Sequence, residues 1–496
     1  MKSSRRKFLL FSFVVSVLFS PALIIAAEPA TISVTVSKPR GEISPDALGL
    51  SYETSLMLPD TNGVLYFRPG NKPLVALFKT LGVKSLRIGG NSVDAPKVPI
   101  PDEKDIRAFF DFARAAGVKV IYSVRLEEST NSGVLPPSTA TSNVEAAAKA
   151  ARLIHDDYPD VLDCFAIGNE PYYFKDYAVY SAKWKAIHDA IVAAYPEATF
   201  CGPDQNPSPD LDRKMVRDFG GGSGHLVMIT QHSYPFGCAY KNPGAKDVSK
   251  LVPFDAAESR EKMLAPAAYG TYEKIYQGIA AAITNTSVGY RFSECNSYWF
   301  SGLKGASDSY ASALWAVDYL HWWTDHGADG LDFHNGDRTG GELSMPCRYA
   351  AFVSAKNGYE ARPLAYGMKL FDLGGHGKSL AVNVSETTNL VAYAALETNI
   401  ISVTIINKAH GSSAKKQMVK IKFDTLPRAS KVEAIFLRAG NDDIADGSGD
   451  VTLGGAPIEA DGSWNGRWKR LPRSAVSDNV ITITMPPASA AVVKIF

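Results

Sequence analysis

Two stretches of the sequence end in a glutamate that could do chemistry. Residues 164–171 run from an apolar segment into Glu170, and residues 290–297 run from a second strand-like segment into Glu294. Two carboxylates that face one another can cleave a glycosidic bond, one as the acid and the other as the nucleophile or base. An isolated Asn-Glu-Pro could equally be a loop that begins a helix, but the second glutamate at a strand end favours the catalytic interpretation.

The segments around these glutamates alternate between strand-like and helical patterns, as in a parallel barrel. Apolar runs predict eight strands, at 48–53, 83–90, 118–126, 161–168, 199–202, 226–234, 288–292 and 330–333. Helical periodicity predicts helices at 72–81, 103–116, 143–154, 180–195, within 259–283, at 310–323 and at 362–371. Right-handed crossovers would close these pairs into a (β/α)8 TIM barrel, an α/β fold with Glu170 after strand 4 and Glu294 after strand 7.

The pattern changes after residue 371 to short β-rich runs separated by turns. These runs predict a C-terminal antiparallel β-sandwich domain at 372–496. Residues 31–37 alternate between apolar and polar side chains, and this N-terminal strand is expected to join the sandwich. The predicted organisation is therefore a segment to be removed at 1–27, an N-terminal strand region at 28–46, a catalytic barrel at 47–371 and the sandwich.

The first 27 residues predict an export signal. Four basic residues precede an apolar run from Phe8 to Ala27 that is broken at Pro21, which is typical of such signals. Arg5 and Arg6 are compatible with a twin-arginine signal as well as with a general secretory one. We expect a periplasmic or secreted protein with no membrane association once the signal is cleaved.

Composition narrows the range of partners. The chain is 46% hydrophobic and 21% charged with a formal net charge of +1, which argues against nucleic-acid binding. The five cysteines are scattered without the spacing of a metal site, and the two carboxylates need no cofactor. No metal or organic cofactor is expected. A catalytic thiol at Cys295 is an alternative, but no base is placed for it.

The carboxyl ends of the predicted strands collect further polar side chains at one rim of the barrel. Asn169 could donate a hydrogen bond to a sugar 2-hydroxyl, and Tyr234 could donate one to Glu294 and keep it ionised. Tyr234 could instead be a packing aromatic, and His232 and His334 could be structural histidines. Residues 298–300 could form a sugar-stacking wall or belong to the core.

Four motifs resemble glycoside hydrolase family 79, the β-glucuronidase and heparanase family within the clan A retaining glycosidases. They are LRIGGNS at 86–92, GNEP at 168–171, FSEC at 292–295 and RPLAYG at 362–367. The paired glutamates are specific for the clan, and the other two motifs narrow the resemblance to the family. It covers the barrel and the sandwich.

The resemblance implies Glu170 as acid/base and Glu294 as nucleophile. It places Glu53 and Asn169 on the sugar hydroxyls, and in this family backbone amides after the nucleophile and a tyrosine after strand 8 hold the glucuronate carboxylate. In this chain Gly302 could supply an amide, but Arg338 stands where the tyrosine is expected. Substrate-binding candidates are Glu53, Asn91, Ser92, Asn169, His232, Tyr234, Tyr298, Gly302, His334, Asn335, Gly336 and Arg338.

Arg338 could grip a uronate carboxylate with two parallel hydrogen bonds, or it could be a solvated residue paired with Asp337 or Glu342. The expected function is a retaining hydrolase that removes β-linked glucuronic acid from glycans or glycosides. The alternatives are a clan A enzyme for a neutral sugar, such as a xylosidase, arabinofuranosidase or glucosidase, and a non-catalytic glycan-binding protein.

Overall fold

The computed structural model describes residues 29–130, 133–134, 142–245, 247–336, 346–385, 388–426 and 431–496. The predicted export signal and Arg338 lie outside these ranges, so both remain predictions. No helix within the ranges is long and apolar enough to cross a membrane.

Buried apolar runs form eight parallel strands that close into a barrel, as predicted. Barrel strands 1 to 8 are Leu48–Glu53, Ser85–Gly89, Lys119–Val124, Leu162–Ile167, Phe200–Gln205, Leu226–Ser233, Gly289–Cys295 and Gly330–His334. Strand 8 pairs with strand 1, with Leu331 opposite Leu48, and this pairing completes the ring.

Helices cover the outside of the barrel. They are Lys72–Leu81, Glu103–Ala116, Asn143–Asp157, Tyr177–Ala194, Pro209–Phe219, Ala256–Leu264, Ala268–Ile283, Tyr310–Asp325 and Pro363–Gly374. The stretch predicted as helical within 259–283 is two helices, with Pro266 between them, because proline removes a helical hydrogen bond. Pro209–Phe219, between strands 5 and 6, was not predicted.

Barrel strand 5 is longer than predicted. The sequence predicts a short strand that ends at Gly202. In the structure the strand continues to Gln205, with Pro203 opposite Thr230 of strand 6. The extension carries Asp204 to the carboxyl end of the barrel, where the two glutamates lie.

The C-terminal region is a mostly antiparallel sheet domain. Its longer strands are Gly377–Val384, Leu390–Glu397, Ile400–Asn407, Gln417–Phe423, Val432–Ala439, Val480–Met485 and Ser489–Ile495. The N-terminal strand Ala30–Thr35 lies between the first and the fourth of these, antiparallel to one and parallel to the other. The prediction that it joins the C-terminal sheet is confirmed. Ile32 and Val34 are buried in its core, because alternate residues of a strand face the same side.

Polar contacts join the sheet domain to the barrel. Lys408, between the strands Ile400–Asn407 and Gln417–Phe423, places Nζ 2.6 Å from a carboxylate oxygen of Asp318 on the helix Tyr310–Asp325. The hydroxyls of Tyr269 and Tyr393 donate to the same carboxylate at 2.6 and 2.7 Å. Because this charged pair is buried and fully hydrogen-bonded, it fixes the position of the sheet domain against the barrel.

Candidate active site

A cleft of ≈ 810 Å³ opens at the carboxyl ends of the barrel strands. Loops that follow strands 1, 2, 4, 5, 6, 7 and 8 contribute to its wall. The lining residues are Glu53, Ser55, Leu56, Leu58, Pro59, Asn91, Ser92, Ala95, Glu170, Tyr172, Asn206, Tyr234, Glu294, Trp299, Phe300, Ser301, His334, Gly336, Cys347 and Tyr349. The position agrees with the general rule that functional residues of this fold lie at the strand carboxyl ends.

Glu170 and Glu294 face one another in this cleft. A carboxylate oxygen of each and a ring nitrogen of His232 all lie within 4.8 Å of one another. Glu294 belongs to strand 7, whereas Glu170 follows strand 4 through a turn in which Gly168 and Glu170 both have positive φ angles, 80° and 45°. That turn directs Glu170 into the barrel mouth instead of along the strand.

Arg87 of strand 2 organises the floor of the site. Its guanidinium is fully buried and donates to Glu294 Oε2 at 2.8 Å, to Asn169 Oδ1 at 2.8 Å and to Asp204 Oδ2 at 2.9 Å. Arg87 was not among the predicted site residues. The available signal was an arginine within an otherwise apolar buried strand, because a buried arginine requires charged or polar partners.

The surroundings of Glu294 keep it ionised. Tyr234 donates its hydroxyl to Glu294 Oε1 at 2.8 Å, and His334 Nδ1 lies 3.7 Å from Oε2. Burial raises the pKa of Glu294, but His334, His232, Arg87 and the Tyr234 hydroxyl together lower it well below its usual range. Burial and the neighbouring Glu294 charge raise the pKa of Tyr234, so Tyr234 stays protonated and can donate.

Glu170 has a different set of neighbours. Its Oε1 lies 2.9 Å from His232 Nδ1, and the His232 ring is fully buried. Burial lowers the pKa of His232, but the charge of Glu294 and the hydrogen bond with Glu170 outweigh burial, so that the pKa is raised. His232 therefore holds one oxygen of Glu170 in place and leaves the other toward the cleft.

The polar residues predicted on strands 1, 2 and 4 come together beside the glutamate pair. The Glu53 carboxylate accepts hydrogen bonds from the backbone amides of Asn91 at 3.2 Å and Ser92 at 2.7 Å. Asn169 Nδ2 donates to Asn91 Oδ1 at 3.3 Å, and His334 Nε2 lies 3.8 Å from Glu53 Oε1. Glu53, Asn91, Ser92 and His334 form a polar wall on one side of the cleft, and the buried Asn169 contacts this wall through Asn91.

Three predicted substrate-binding residues do not line the cleft. Tyr298 is 2% exposed, and its hydroxyl donates to the Ser259 carbonyl at 3.3 Å because the ring packs inward on Phe236. Asn335 is 1% exposed and accepts a hydrogen bond from the Ala351 amide at 2.7 Å. Neither side chain lines the cleft, and the fully buried His232 does not line it either. The structure corrects these three predictions to supporting roles.

The residues after strand 7 form an unusual backbone segment. Phe300, Ser301 and Gly302 have φ angles of 70°, 62° and 82°, and their three amides have no hydrogen-bond acceptor within the described part of the chain. A Cβ at Gly302 would lie 2.7 Å from the Tyr349 backbone nitrogen, so this position requires glycine. Successive amides in such a segment can form an anion-binding concavity.

Tyr349 is a cleft residue that the sequence did not indicate. Its ring lies 6.0 Å from that of Tyr234 and 6.1 Å from that of His334, measured between centroids. Gly336, which was predicted, also lines the cleft and packs beside Cys347. The sequence led to Arg338 because that residue is nearer to strand 8, whereas Tyr349 lies farther along the chain.

The alternative of a catalytic thiol at Cys295 has no support in this arrangement. The Cys295 sulfur is buried and points toward the Asp332 carbonyl oxygen at 3.7 Å. Burial raises the pKa of this thiol well above its ordinary value, so the reactive thiolate does not form. The five cysteines are free thiols.

Comparison with known proteins found similarity in structure but not in sequence. No protein-family model and no curated protein matches the chain. A GH51 arabinofuranosidase from Xanthomonas axonopodis pv. citri superposes with a TM-score of 0.64 at 13% identity, covering 94% of this chain and 100% of that one.

Two further solved structures are comparably similar. A 4-O-alpha-L-rhamnosyl-beta-D-glucuronidase from Fusarium oxysporum 12S gives a TM-score of 0.63 at 18% identity, covering 93% of this chain and 99% of that one. A monomeric beta-xylosidase from Caulobacter crescentus CB15 gives 0.60 at 13% identity, covering 94% and 99%. At these identities the likeness establishes the two-domain fold.

Proposed function

We propose that this protein is a retaining glycoside hydrolase that releases β-linked glucuronic acid from a glycan or glycoside. The observation that carries the proposal is the approach of Glu170 and Glu294 to within 4.8 Å. Retaining enzymes place their carboxyl groups about 5–5.5 Å apart, whereas inverting enzymes need about 6.5–9.5 Å to admit a water molecule.

The two glutamates take different roles because their neighbours differ. Arg87 and Tyr234 hold the negative charge on Glu294, which attacks the anomeric carbon. Glu170 has no arginine or tyrosine hydrogen bond among the described residues; its carboxylate contacts His232, and it gives its proton to the departing glycosidic oxygen. A water molecule then loses a proton to Glu170 and hydrolyses the glycosyl-enzyme, so that the configuration is retained.

The polar wall of Glu53, Asn91, Ser92 and His334, together with Asn169 beside it, would bind the sugar hydroxyls. Asn169 is held by Arg87 through its side-chain oxygen, which leaves its amide group directed toward Asn91, a cleft residue. An amide fixed in this way can donate to the 2-hydroxyl, and that interaction strengthens in the transition state.

The carboxylate of a uronic acid would meet the amides of Phe300, Ser301 and Gly302 together with the Tyr349 hydroxyl. Backbone amides and a neutral hydroxyl are suitable partners for a carboxylate in a cleft that already contains three acids. Arg348 lies beside this segment, donating its amide to the Ser301 carbonyl at 2.6 Å, while its guanidinium is 3.6 Å from Asp308. A grip by Arg338 stays a prediction.

The leaving group would lie over strands 4 to 7, next to the acid Glu170. Two exposed aromatic side chains line this part of the cleft, Tyr172 at 50% and Trp299 at 38% exposure. Aromatic faces of this kind pack against sugar or aryl rings, so either a sugar or an aryl aglycone would be accepted here.

A neutral sugar is the second candidate. The cleft wall contains three carboxylates, Glu53, Glu170 and Glu294, and no lysine or arginine within the described residues. Such a site repels an anion unless the amides and Tyr349 compensate. The similar folds of the arabinofuranosidase and the xylosidase are compatible with this candidate.

A panel of nitrophenyl glycosides separates the candidates. β-Glucuronide should be hydrolysed much faster than β-xyloside, β-glucoside or α-arabinofuranoside, and proton NMR of the first product should give the β anomer. Faster hydrolysis of a neutral glycoside would contradict the glucuronidase proposal and support the second candidate, a glycosidase for a neutral sugar. No turnover of any glycoside would leave the glycan-binding alternative.

We also propose export, supported by the basic and then apolar residues 1–27. N-terminal sequencing of protein recovered from the periplasm or medium should begin near residue 27. Full-length protein confined to the cytoplasm would contradict this.

A further inference from the structure

Asp204 is a buried carboxylate with no part in the reaction as written above, yet it contacts both catalytic elements. It lies near the end of strand 5 and is 1% exposed. Its carbonyl oxygen accepts the Glu170 amide at 2.8 Å, and its carboxylate accepts Arg87 at 2.9 Å and the Ser293 hydroxyl at 2.6 Å. Since Ser293 precedes Glu294, Asp204 is tied to the backbone at both glutamates.

Arg87 consequently has two anionic partners, Glu294 and Asp204. Burial raises the pKa of Asp204, but the charge of Arg87, aided by His232 and two hydroxyls, outweighs burial and lowers it. Asp204 therefore remains negative throughout. One buried guanidinium shared between two carboxylates stabilises each of them less than it would stabilise one alone.

This sharing matters when Glu294 changes charge, a step that rests on the proposed function. As the glycosidic C–O bond breaks, its electron pair goes to the leaving oxygen, which takes the proton of Glu170. A Glu294 oxygen forms the new bond to the anomeric carbon, and the carboxylate loses its charge. Glu170 now carries the negative charge, but its contact is with His232 and not with Arg87. Without Asp204, Arg87 would then be a buried cation with no carboxylate in direct contact, which is costly.

We propose that Asp204 is the permanent counter-ion of Arg87 and acts as a positioning residue for Glu294. It keeps Arg87 neutralised in the glycosyl-enzyme, and it prevents Arg87 from stabilising the free Glu294 carboxylate too strongly to attack. Formation of the covalent intermediate is favoured by both effects.

Asp204→Asn tests this role with little change of shape. Asp204 has a φ of 54°, a conformation that asparagine also tolerates. With 2,4-dinitrophenyl 2-deoxy-2-fluoro-β-glucuronide, labelling of Glu294 should slow about ten- to hundredfold, the range expected for loss of one hydrogen bond to a charged group. Hydrolysis of the labelled enzyme should become faster than in the wild type. Arg87 no longer shares its charge with Asp204, so it stabilises the Glu294 carboxylate more strongly as that carboxylate is released.

The opposite signs of the two effects exclude a purely structural role, which would slow both steps. Asp212→Asn is the matched control, because Asp212 is also fully buried, accepts a hydrogen bond from Gln231 at 2.8 Å and belongs to a helix outside the barrel. Both of its rates should equal those of the wild type. Slowing of both steps in Asp204→Asn, or no change, would overturn the proposal.

A comparison of unfolding temperatures tests the ion pair without any substrate. Arg87→Gln leaves Asp204 buried without its cation, so the double variant Arg87→Gln, Asp204→Asn should unfold at a higher temperature than the single variant. Equal unfolding temperatures of Arg87→Gln and the double variant would overturn the pairing. This comparison remains possible even if Asp204→Asn alone does not fold. A wild-type enzyme that the fluorinated glucuronide does not label would instead count against the glucuronidase proposal.

Discussion

The two ends of the barrel each contain a buried arginine surrounded by acids. At the carboxyl end Arg87 pairs with Glu294 and Asp204 at 2.8 and 2.9 Å. At the amino end Arg291 pairs with Asp46 at 2.7 Å and Asp332 at 3.3 Å. In both arginines Nε has no partner within the described residues.

The acids of the two clusters respond in opposite ways. Burial raises the pKa of Asp332 to about 7 although Arg291 opposes it, whereas the pKa of Glu294 is lowered. Glu294 has Tyr234 and two histidines in addition to its arginine and borders a cleft. A buried arginine with acids is thus not by itself a candidate active site; the cleft, the second glutamate and the additional donors distinguish the carboxyl end from the amino end.

The largest expected difference between the two ends is in catalysis. Glu294→Ala should reduce turnover of the nitrophenyl glucuronide by at least about 10⁴-fold, because the nucleophile is lost. Azide should partly restore it and give the α-glycosyl azide, which NMR identifies. Asp332→Asn, the control at the amino end, should keep most of the wild-type turnover, and near-full activity of Glu294→Ala would refute the mechanism.

Replacing each arginine separates stability from catalysis. Arg87→Gln should lower the free energy of unfolding by about 3–5 kcal/mol, because it leaves two buried carboxylates without a cation. Arg291→Gln should lower it by less, because Asp46 is 26% exposed and the pKa of Asp332 is raised to about 7. Urea unfolding measures this loss. Only Arg87→Gln should also lose turnover per folded molecule; a comparable catalytic loss in Arg291→Gln would mean that the two ends are coupled.

The pH dependence of stability should differ between the ends. Burial raises the pKa of Asp332 to about 7 from its ordinary value of 3.8, so Asp332 holds more protons in the folded state than in the unfolded state. Its contribution to stability is present below about pH 4 and is lost as pH rises through 7. In Asp332→Asn the decrease in the free energy of unfolding between about pH 4 and pH 7 should be smaller than in the wild type by about 2–4 kcal/mol.

Urea unfolding at several pH values checks the slope. Glu294→Gln should not flatten it, because a carboxylate with a lowered pKa stabilises the folded state above its unfolded pKa and not below it. Identical slopes for the wild type and Asp332→Asn would show that another buried acid dominates.

The smallest effect is expected from a single hydroxyl. Tyr234→Phe removes one of the donors to Glu294 and should lower kcat/KM about tenfold, since Arg87 still holds the carboxylate. Tyr290→Phe on strand 7 is the control, because its hydroxyl donates to the His326 carbonyl at 2.9 Å, away from the cleft. Equal activities of the two variants would mean that Tyr234 only packs.

Much of the fold could be predicted because its signals are local. Apolar runs and helical periodicity indicated all eight barrel strands, and alternation in 31–37 indicated the strand that joins the C-terminal sheet. Strand 5 was predicted too short: it continues through Pro203, a residue type that is rare inside central strands. That error hid Asp204, which the extended strand carries to the candidate active site.

For the site, the sequence by itself determined the two glutamates and most of the polar wall. Each of these residues lies at the carboxyl end of a predicted strand, and a parallel barrel brings all such ends to one rim. Only the tertiary structure decided the electrostatics. Arg87 meets Asp204 and Glu294, which lie 117 and 207 residues along the chain. Tyr349 lines the cleft although it lies well beyond the end of strand 8 in the sequence, whereas Tyr298 packs into the core. A strand pattern predicts the position of a residue at the rim of the barrel. The partners that set the charge of its side chain come from other strands, and only the tertiary packing brings them together.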